Sequence, residues 1–191
     1  IFHQEEFEND GFVQPYGDSP LDDEVVGENV YLNIINQAKR YVYIATPYLI
    51  IDNEMMTALC LASKKGVDVR IITPGIPDKK LVFLLTQSYY QQLLEAGVRI
   101  FEYTPGFIHA KNFVCDDEIA VVGTINLDYR SLFHHFECAA FMYQNSQIAA
   151  IEEDFQDTLK KCIKAQASDY KKQPLYMRTM GTILRMFAPL M

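Results

Sequence analysis

The chain has no unbroken apolar run near the roughly 20 residues that a bilayer-spanning helix requires, so no part of it reads as a transmembrane segment. Its opening residues do not read as a secretory leader either. Cysteine is sparse. Cys60, Cys115, Cys138 and Cys162 are scattered without C-x-x-C spacing and read as reduced packing residues, which places the chain on the reducing, cytoplasmic side. Internal repeats and low-complexity tracts are absent. Lys and Arg are missing from residues 1–28, which hold nine acidic residues. Basic character gathers at the other end, where Lys160, Lys161, Lys164, Lys171, Lys172, Arg178 and Arg185 stand against Asp169 alone. The formal net charge of −8 therefore combines an acidic body with a basic tail. Nucleic acid is bound largely by neutralising phosphates over a broad basic face, so this body is a poor nuclease and no nucleic-acid partner is expected, unless a partner subunit supplies basic surface.

With 191 residues, 49% hydrophobic and 22% charged, the composition fits one α/β body with a sizeable core. The apolar spacing predicts a helix from Asp22 or Asp23 to Lys39, with Val30, Ile34, Ile35 and Ala38 inward, and a strand Tyr41–Ala45. Asn53 is expected to cap a helix from Glu54 to Lys65 that stops at Gly66, before a strand Val67–Thr73. A third helix, Lys79–Ala96, stops at Gly97 and leads to a strand Val98–Tyr103. Strands Phe107–Val114, Ile119–Val122 and Cys138–Tyr143 follow, then a helix Gln147–Ala165 capped by Ser146. This order predicts an α/β fold in which helices flank a mixed β-sheet. Residues 1–165 are expected to form the catalytic domain and 166–191 a basic amphipathic tail.

His109, Lys111 and Asp116 stand in the order H-x-K-x4-D. On an extended segment, residues two apart project from one face, so His109 and Lys111 point the same way. An imidazole beside a fixed ammonium suits a phosphodiester: the lysine neutralises non-bridging oxygens while the histidine attacks phosphorus or carries a proton. The turn Gly123–Ser131 follows, and within it Thr124 and Asn126 can donate to phosphate oxygens. Glu137 opens the next apolar run and can hold an imidazole in one tautomer by accepting its second N–H, or can pair with Arg130. His134 and His135 invite a metal reading, but adjacent strand residues face opposite ways and no Cys or Asp/Glu cluster completes a site, so they read as structural or rim residues. Tyr89 and Tyr90 read as core.

On these residues the chain resembles the phospholipase D superfamily and, within it, bacterial cardiolipin synthases. The resemblance is carried by His109-Ala110-Lys111 with Asp116, the Gly123–Ser131 turn, Phe136-Glu137, Thr46-Pro47-Tyr48 and Ile72-Thr73-Pro74, and it runs from about Gly17 to Phe155. It implies a phospholipase D-like fold and a two-step transfer through a phosphohistidine, with neither metal nor cofactor. It implies catalytic places for His109, Lys111, Asn126 and Glu137, with Asp116 a structural hydrogen-bonding member of the motif. Family members unite two such motifs, in one chain or in a homodimer. This chain has one and begins at Ile1, so it looks like the second, C-terminal half of a two-motif synthase. His109 is then the general acid and base, and the other motif supplies the nucleophile. The activity implied joins two phosphatidylglycerol molecules into cardiolipin with release of glycerol, at a cell membrane reached peripherally or through an anchor absent from this chain. Lipid hydrolysis, a single-motif homodimeric phosphodiesterase or nuclease, and a membrane-docking or regulatory half are the alternatives.

At roughly 100° per residue, Tyr176, Met180, Ile183, Leu184 and Phe187 fall on one side of a helix between Pro174 and Pro189, with Arg178 and Arg185 opposite. Such a segment either lies on an anionic membrane surface or packs on the protein's own core or on the missing half.

Overall fold

The computed structural model describes residues 9–21, 23–171 and 175–190. Strand β1 (Phe12–Asp18) leads to helix α1 (Val26–Gln37), then β2 (Tyr41–Ala45), β3 (Leu49–Ile50), α2 (Asn53–Lys64) and β4 (Asp68–Pro74). Next come α3 (Lys80–Glu95), β5 (Arg99–Tyr103), β6 (Asn112–Cys115), β7 (Ile119–Gly123) and β8 (Leu127–Asp128). A π-helical turn at Arg130–His134 precedes β9 (Glu137–Tyr143), α4 (Gln147–Leu159), β10 (Cys162–Lys164), α5 (Ala167–Lys171) and α6 (Leu175–Phe187).

Eight strands form one mixed sheet in the order β1-β9-β7-β6-β2-β4-β5-β10. β2, β4 and β5 run parallel, the other pairs antiparallel. The period of two along β2 sorts the core into two layers. Val42 and Ile44 meet Tyr31 and Ile34 of α1, Met55 and Leu59 of α2, and Leu85 and Tyr90 of α3. Tyr41, Tyr43 and Ala45 face the other way, onto Ile148 and Phe155 of α4. Stacked rings anchor each layer: Tyr31 on Phe113 with centroids 4.0 Å apart, and Tyr43 on Phe155 at 5.0 Å. Both faces of β2 are covered, which is why Tyr41–Ala45 is apolar throughout. The sheet flanked by helices is the predicted architecture.

Several boundaries differ from the expectations, each for a local reason. Asp52 rather than Asn53 caps α2, its carboxylate accepting from the Met55 N–H at 2.8 Å. Ser146 makes no cap to α4; its hydroxyl donates to Asp10 instead, at 2.7 Å. The helix expected to reach Ala165 stops at Leu159, because Cys162–Lys164 adds to the free edge of β5. β1 escaped notice because it is an edge strand containing Pro15, which a central strand would not tolerate. α1 begins at Val26, and the proposed start at Asp22 lies outside the described residues, as does Pro174. Gly66 and Gly97 do end helices, with φ of 97° and 100°.

The motif strand is shorter than predicted. Asn112 still pairs with Ala45 and Val122, but Thr46 then bonds back to Ile72 O and Pro47 has no N–H to offer, so residues 107–111 have no ladder on that side. Gly123 sits where β7 leaves the sheet, against β9. A Cβ there would stand 2.5 Å from Cys138 O and closer still to the Ala139 methyl. Gly123→Ala is expected to cost about 1–3 kcal/mol in urea unfolding, as overpacking against fixed backbone does.

Candidate active site

His109 and Lys111 stand on the extended run that precedes β6, on the side where the ladder ends. Their side chains converge: Lys111 Nζ lies 2.8 Å from His109 Nδ1 and donates to His109 O at 2.7 Å. The ammonium also lies 3.3 Å from His109 Nε2, so it sits against both ring nitrogens. His109 is exposed and rests beside Phe107, centroids 5.8 Å apart. Tyr48 borders the same place, 6.3 Å from the Phe107 ring and donating to Asp78 at 2.7 Å. Partial burial lowers the His109 pKa, the Lys111 ammonium lowers it further, and Asp78 works against both. Burial also lowers the Lys111 pKa, opposed by the carboxylates of Glu137 and Asp128.

The turn after β7 is held from beneath. Thr46, buried, donates from Oγ1 to Tyr48 O at 2.8 Å and accepts from the Leu127 N–H at 3.1 Å. Tyr31 donates to Ile125 O at 2.9 Å, and the short parallel pair β3–β8 completes the clamp. Within this turn Asn126 donates from Nδ2 to Ser131 Oγ at 2.8 Å and also bonds to Asp128. Its buried Oδ1 has no hydrogen-bond partner. Thr124 hands its hydroxyl proton to Glu137 Oε2 and accepts from the Cys138 N–H at 3.0 Å. Both arrangements differ from the expectation that these side chains face a phosphate. As they stand, Thr124 positions Glu137, and Asn126 spends its amide protons on Ser131 and Asp128.

The imidazole nearest to Glu137 among those the structure pairs with it is His135, not His109: His135 Nδ1 lies 3.9 Å from Oε1. Arg130 reaches the carboxylate only through this ring, donating to His135 Nε2 at 2.8 Å. The alternation argument about His134 and His135 does not apply, because Arg130–His134 is a π-helical turn rather than a strand. Asp128, also overlooked, is 8% exposed and accepts from the Ser131 N–H at 2.7 Å. Burial raises its pKa. Among the described residues no group of three or more His, Cys, Asp or Glu side chains is arranged to hold a metal ion.

Asp116 is elsewhere. It lies at the far end of β6, five residues from Lys111 and so about 16 Å away at about 3.3 Å per residue. There it accepts the backbone N–H groups of Lys39, Arg40 and Tyr41 at 2.7, 2.9 and 2.8 Å. It shares with Asp117 a left-handed turn, φ 54° and 63°. Burial would raise its pKa, but the three backbone donors prevail and lower it. The carboxylate therefore contributes stability above its unfolded pKa, and that contribution is lost as pH falls through the depressed folded value. Asp116→Ala is expected to cost about 1–3 kcal/mol at neutral pH and to flatten the acid limb of the stability profile, as read by urea unfolding from pH 7 downward. Separately, Lys111→Met should raise the His109 pKa in an NMR titration. An unmoved titration curve would mean that the ammonium does not act on the ring.

The sequence profile of the family described as "Cardiolipin synthase, PLD-like domain" matches residues 31–159. An uncharacterized protein of Streptococcus mutans is 56% identical over 181 residues, covering 95% of this chain and 39% of that protein. A cardiolipin synthase of Geobacillus sp. (strain WCH70) is 37% identical over 185 residues, covering 97% of this chain and 37% of that protein. The chain thus spans less than two fifths of the length of these relatives. Among solved structures, Nuc from Salmonella typhimurium, a phospholipase D family member, superposes with a TM-score of 0.69 at 19% identity, over 81% of this chain and 98% of that one. The phosphatidylserine synthase of Haemophilus influenzae gives 0.70 at 18%, over 93% of this chain and 45% of that one. At those identities the structures speak for the fold, and the fold agrees with the sequence match. The chain belongs to the phospholipase D-like domain family of cardiolipin synthases.

Proposed function

We propose that the chain is one catalytic half of a cardiolipin synthase and acts with a second H-x-K-x4-D half, supplied by the same full-length chain or by a second copy. The convergence of Lys111 Nζ on the His109 ring at 2.8 Å, on a surface open to solvent, carries this reading. In the first step an imidazole nitrogen of the other motif forms a bond to phosphorus while the phosphorus–oxygen bond to glycerol breaks, and His109, protonated, gives the departing oxygen its extra proton and is left neutral. In the second, a hydroxyl of another phosphatidylglycerol passes its proton to His109 as its oxygen bonds phosphorus and the phosphorus–nitrogen bond breaks. The products are cardiolipin and glycerol.

The phosphodiester competes with His109 for the Lys111 ammonium, so substrate binding trades the lysine–imidazole contact for lysine–phosphate contacts. Glu137, oriented by Thr124, orders an imidazole: His135 in this half, or the histidine of the other motif. No helix of the described residues is long and apolar enough to cross a membrane. A lipid substrate places this half at a membrane surface, reached peripherally or through an anchor outside this chain.

Water competes with the acceptor hydroxyl in the second step, and its exclusion separates a synthase from a phospholipase D. The exposure of His109 makes hydrolysis the second reading. The test is incubation of the two-motif protein with phosphatidylglycerol and mass analysis of the products: cardiolipin supports the proposal, and phosphatidic acid alone replaces it with hydrolysis. His109→Gln is expected to lower turnover by about 10²–10⁴-fold, the usual contribution of a general acid–base group, and wild-type turnover in that variant would refute the assignment. Phosphate trapped on His109 would exchange the roles of the two histidines.

A further inference from the structure

Helix α6 packs on α3 through small and polar side chains and leaves its apolar stripe facing outward. Gly181 sits so close to α3 that a Cβ would stand 2.9 Å from the Ser88 Cβ. Ala188, just past the helix, is buried, and Leu184 is partly buried against the core. Arg185 donates from Nε to Ser88 Oγ at 3.0 Å and lies 4.1 Å from the centroid of the Tyr89 ring. The arginine that the helical wheel assigns to a solvent-facing side is therefore an anchor. Away from this contact Tyr176, Met180, Ile183 and Phe187 are exposed, at 70%, 46%, 50% and 52%. Of the stripe only Leu184 packs on the chain's own core, and the apolar face left by the other four marks an interaction surface.

Its position and surroundings narrow the occupant. Pro189 O, directly after the helix, lies 3.1 Å from His134 Nε2. That bond ties the helix end to the segment bearing His135 and Phe136, beside Glu137. Phe136 is exposed, as is Phe107 next to His109. Besides the anchored Arg185, residues 170–191 include Lys171, Lys172 and Arg178 and no acidic residue, in a chain whose net charge is −8. A basic, acid-free, apolar segment beside the catalytic mouth complements an anionic lipid surface. A diacyl lipid also reaches His109 with its chains still in the bilayer only when the mouth meets the headgroup layer, because withdrawing methylenes into water is unfavourable.

We propose that the outward face of α6, with Phe107 and Phe136, docks on a bilayer containing anionic phospholipid and presents the site to its headgroups. The proposal rests on the lipid-phosphodiester reading above, and a second protein surface is the competing occupant. The chain contains no tryptophan, so Ile183→Trp gives a single emitter on this face, and Leu61→Trp, on the exposed side of α2, gives a control. Each variant is mixed with phosphatidylcholine–phosphatidylglycerol vesicles whose acyl chains are brominated. Strong quenching at position 183 with none at 61 is expected. Absence of quenching at 183 overturns the proposal, as does a response at 183 only to the half that carries the other motif. Met180→Asp with Ile183→Asp, at exposed positions that leave the α3 contact intact, should lower vesicle co-sedimentation by about tenfold or more. The same pair should leave turnover of monomeric short-chain phosphatidylglycerol by the two-motif protein unchanged. Failure of the unsubstituted protein on that short-chain substrate defeats the functional reading, while the quenching result still decides docking on its own.

Discussion

The pairing of β2 with β6 ends at Ala45 and Asn112, and the site exists because of what happens to the backbone there. Beyond that pair the two strands part. Thr46 bonds to Ile72 O on β4, Pro47 cannot donate, and the backbone of the opposing run Phe107–Lys111 joins no ladder on that side. The groups released at such a point need other partners, and Thr46 provides them. Its hydroxyl joins Tyr48 O to the Leu127 N–H, so one buried side chain couples the end of β2 to the turn that carries Thr124 and Asn126. A residue at this place with no hydroxyl would leave Leu127 N–H buried and unpaired, at a cost of about 1–3 kcal/mol.

Rigidity at the two ends of β6 is obtained in different ways. At the remote end Asp116 converts its charge into three backbone hydrogen bonds, fixing the β6–β7 turn to the start of β2. At the site end Lys111 is held by weaker, exchangeable contacts to His109. The difference suits their tasks. A carboxylate surrounded by preorganised N–H donors has no reason to move, whereas an ammonium resting on a neutral imidazole gives way to any anion that offers it stronger charge-assisted bonds. Thr124, by contrast, is fully engaged with Glu137 and Cys138, which makes the Glu137 carboxylate the most firmly positioned charge at the site.

Much of this was legible from the residues alone. Strand Tyr41–Ala45 reads directly because both of its faces are buried, and the stops at Gly66 and Gly97 read because each requires a positive φ. The shared orientation of His109 and Lys111 is expected from alternation along a strand; the two side chains do converge, although the strand itself begins only at Asn112. What escaped depends on distant partners. β10 exists only because β5 has a free edge, and β1 only because β9 does. His135 became a neighbour of Glu137 through a π-helical turn that no periodicity announces. The wheel of residues 175–187 put the right side chains together but could not say which side packs, since Gly181 and Arg185 carry no apolar signal.

The electrostatics around Lys111 and His109 bear on the proposed need for a second motif. Around the prospective phosphate stand one ammonium, Lys111, and an imidazole whose charged form is disfavoured by burial and by that same ammonium. Against them stands the carboxylate of Glu137, with Asp78 acting on His109 from the other side and Asp128 buried nearby. Adding a phosphodiester anion to this set leaves the charge uncompensated in a region partly withdrawn from water, where each unpaired charge is costly. In the proposed two-motif arrangement a second lysine and a second imidazole would reach the same phosphate and offset that charge. On the proposed reading this chain supplies the proton carrier and one cation, and the other motif supplies the remaining positive charge.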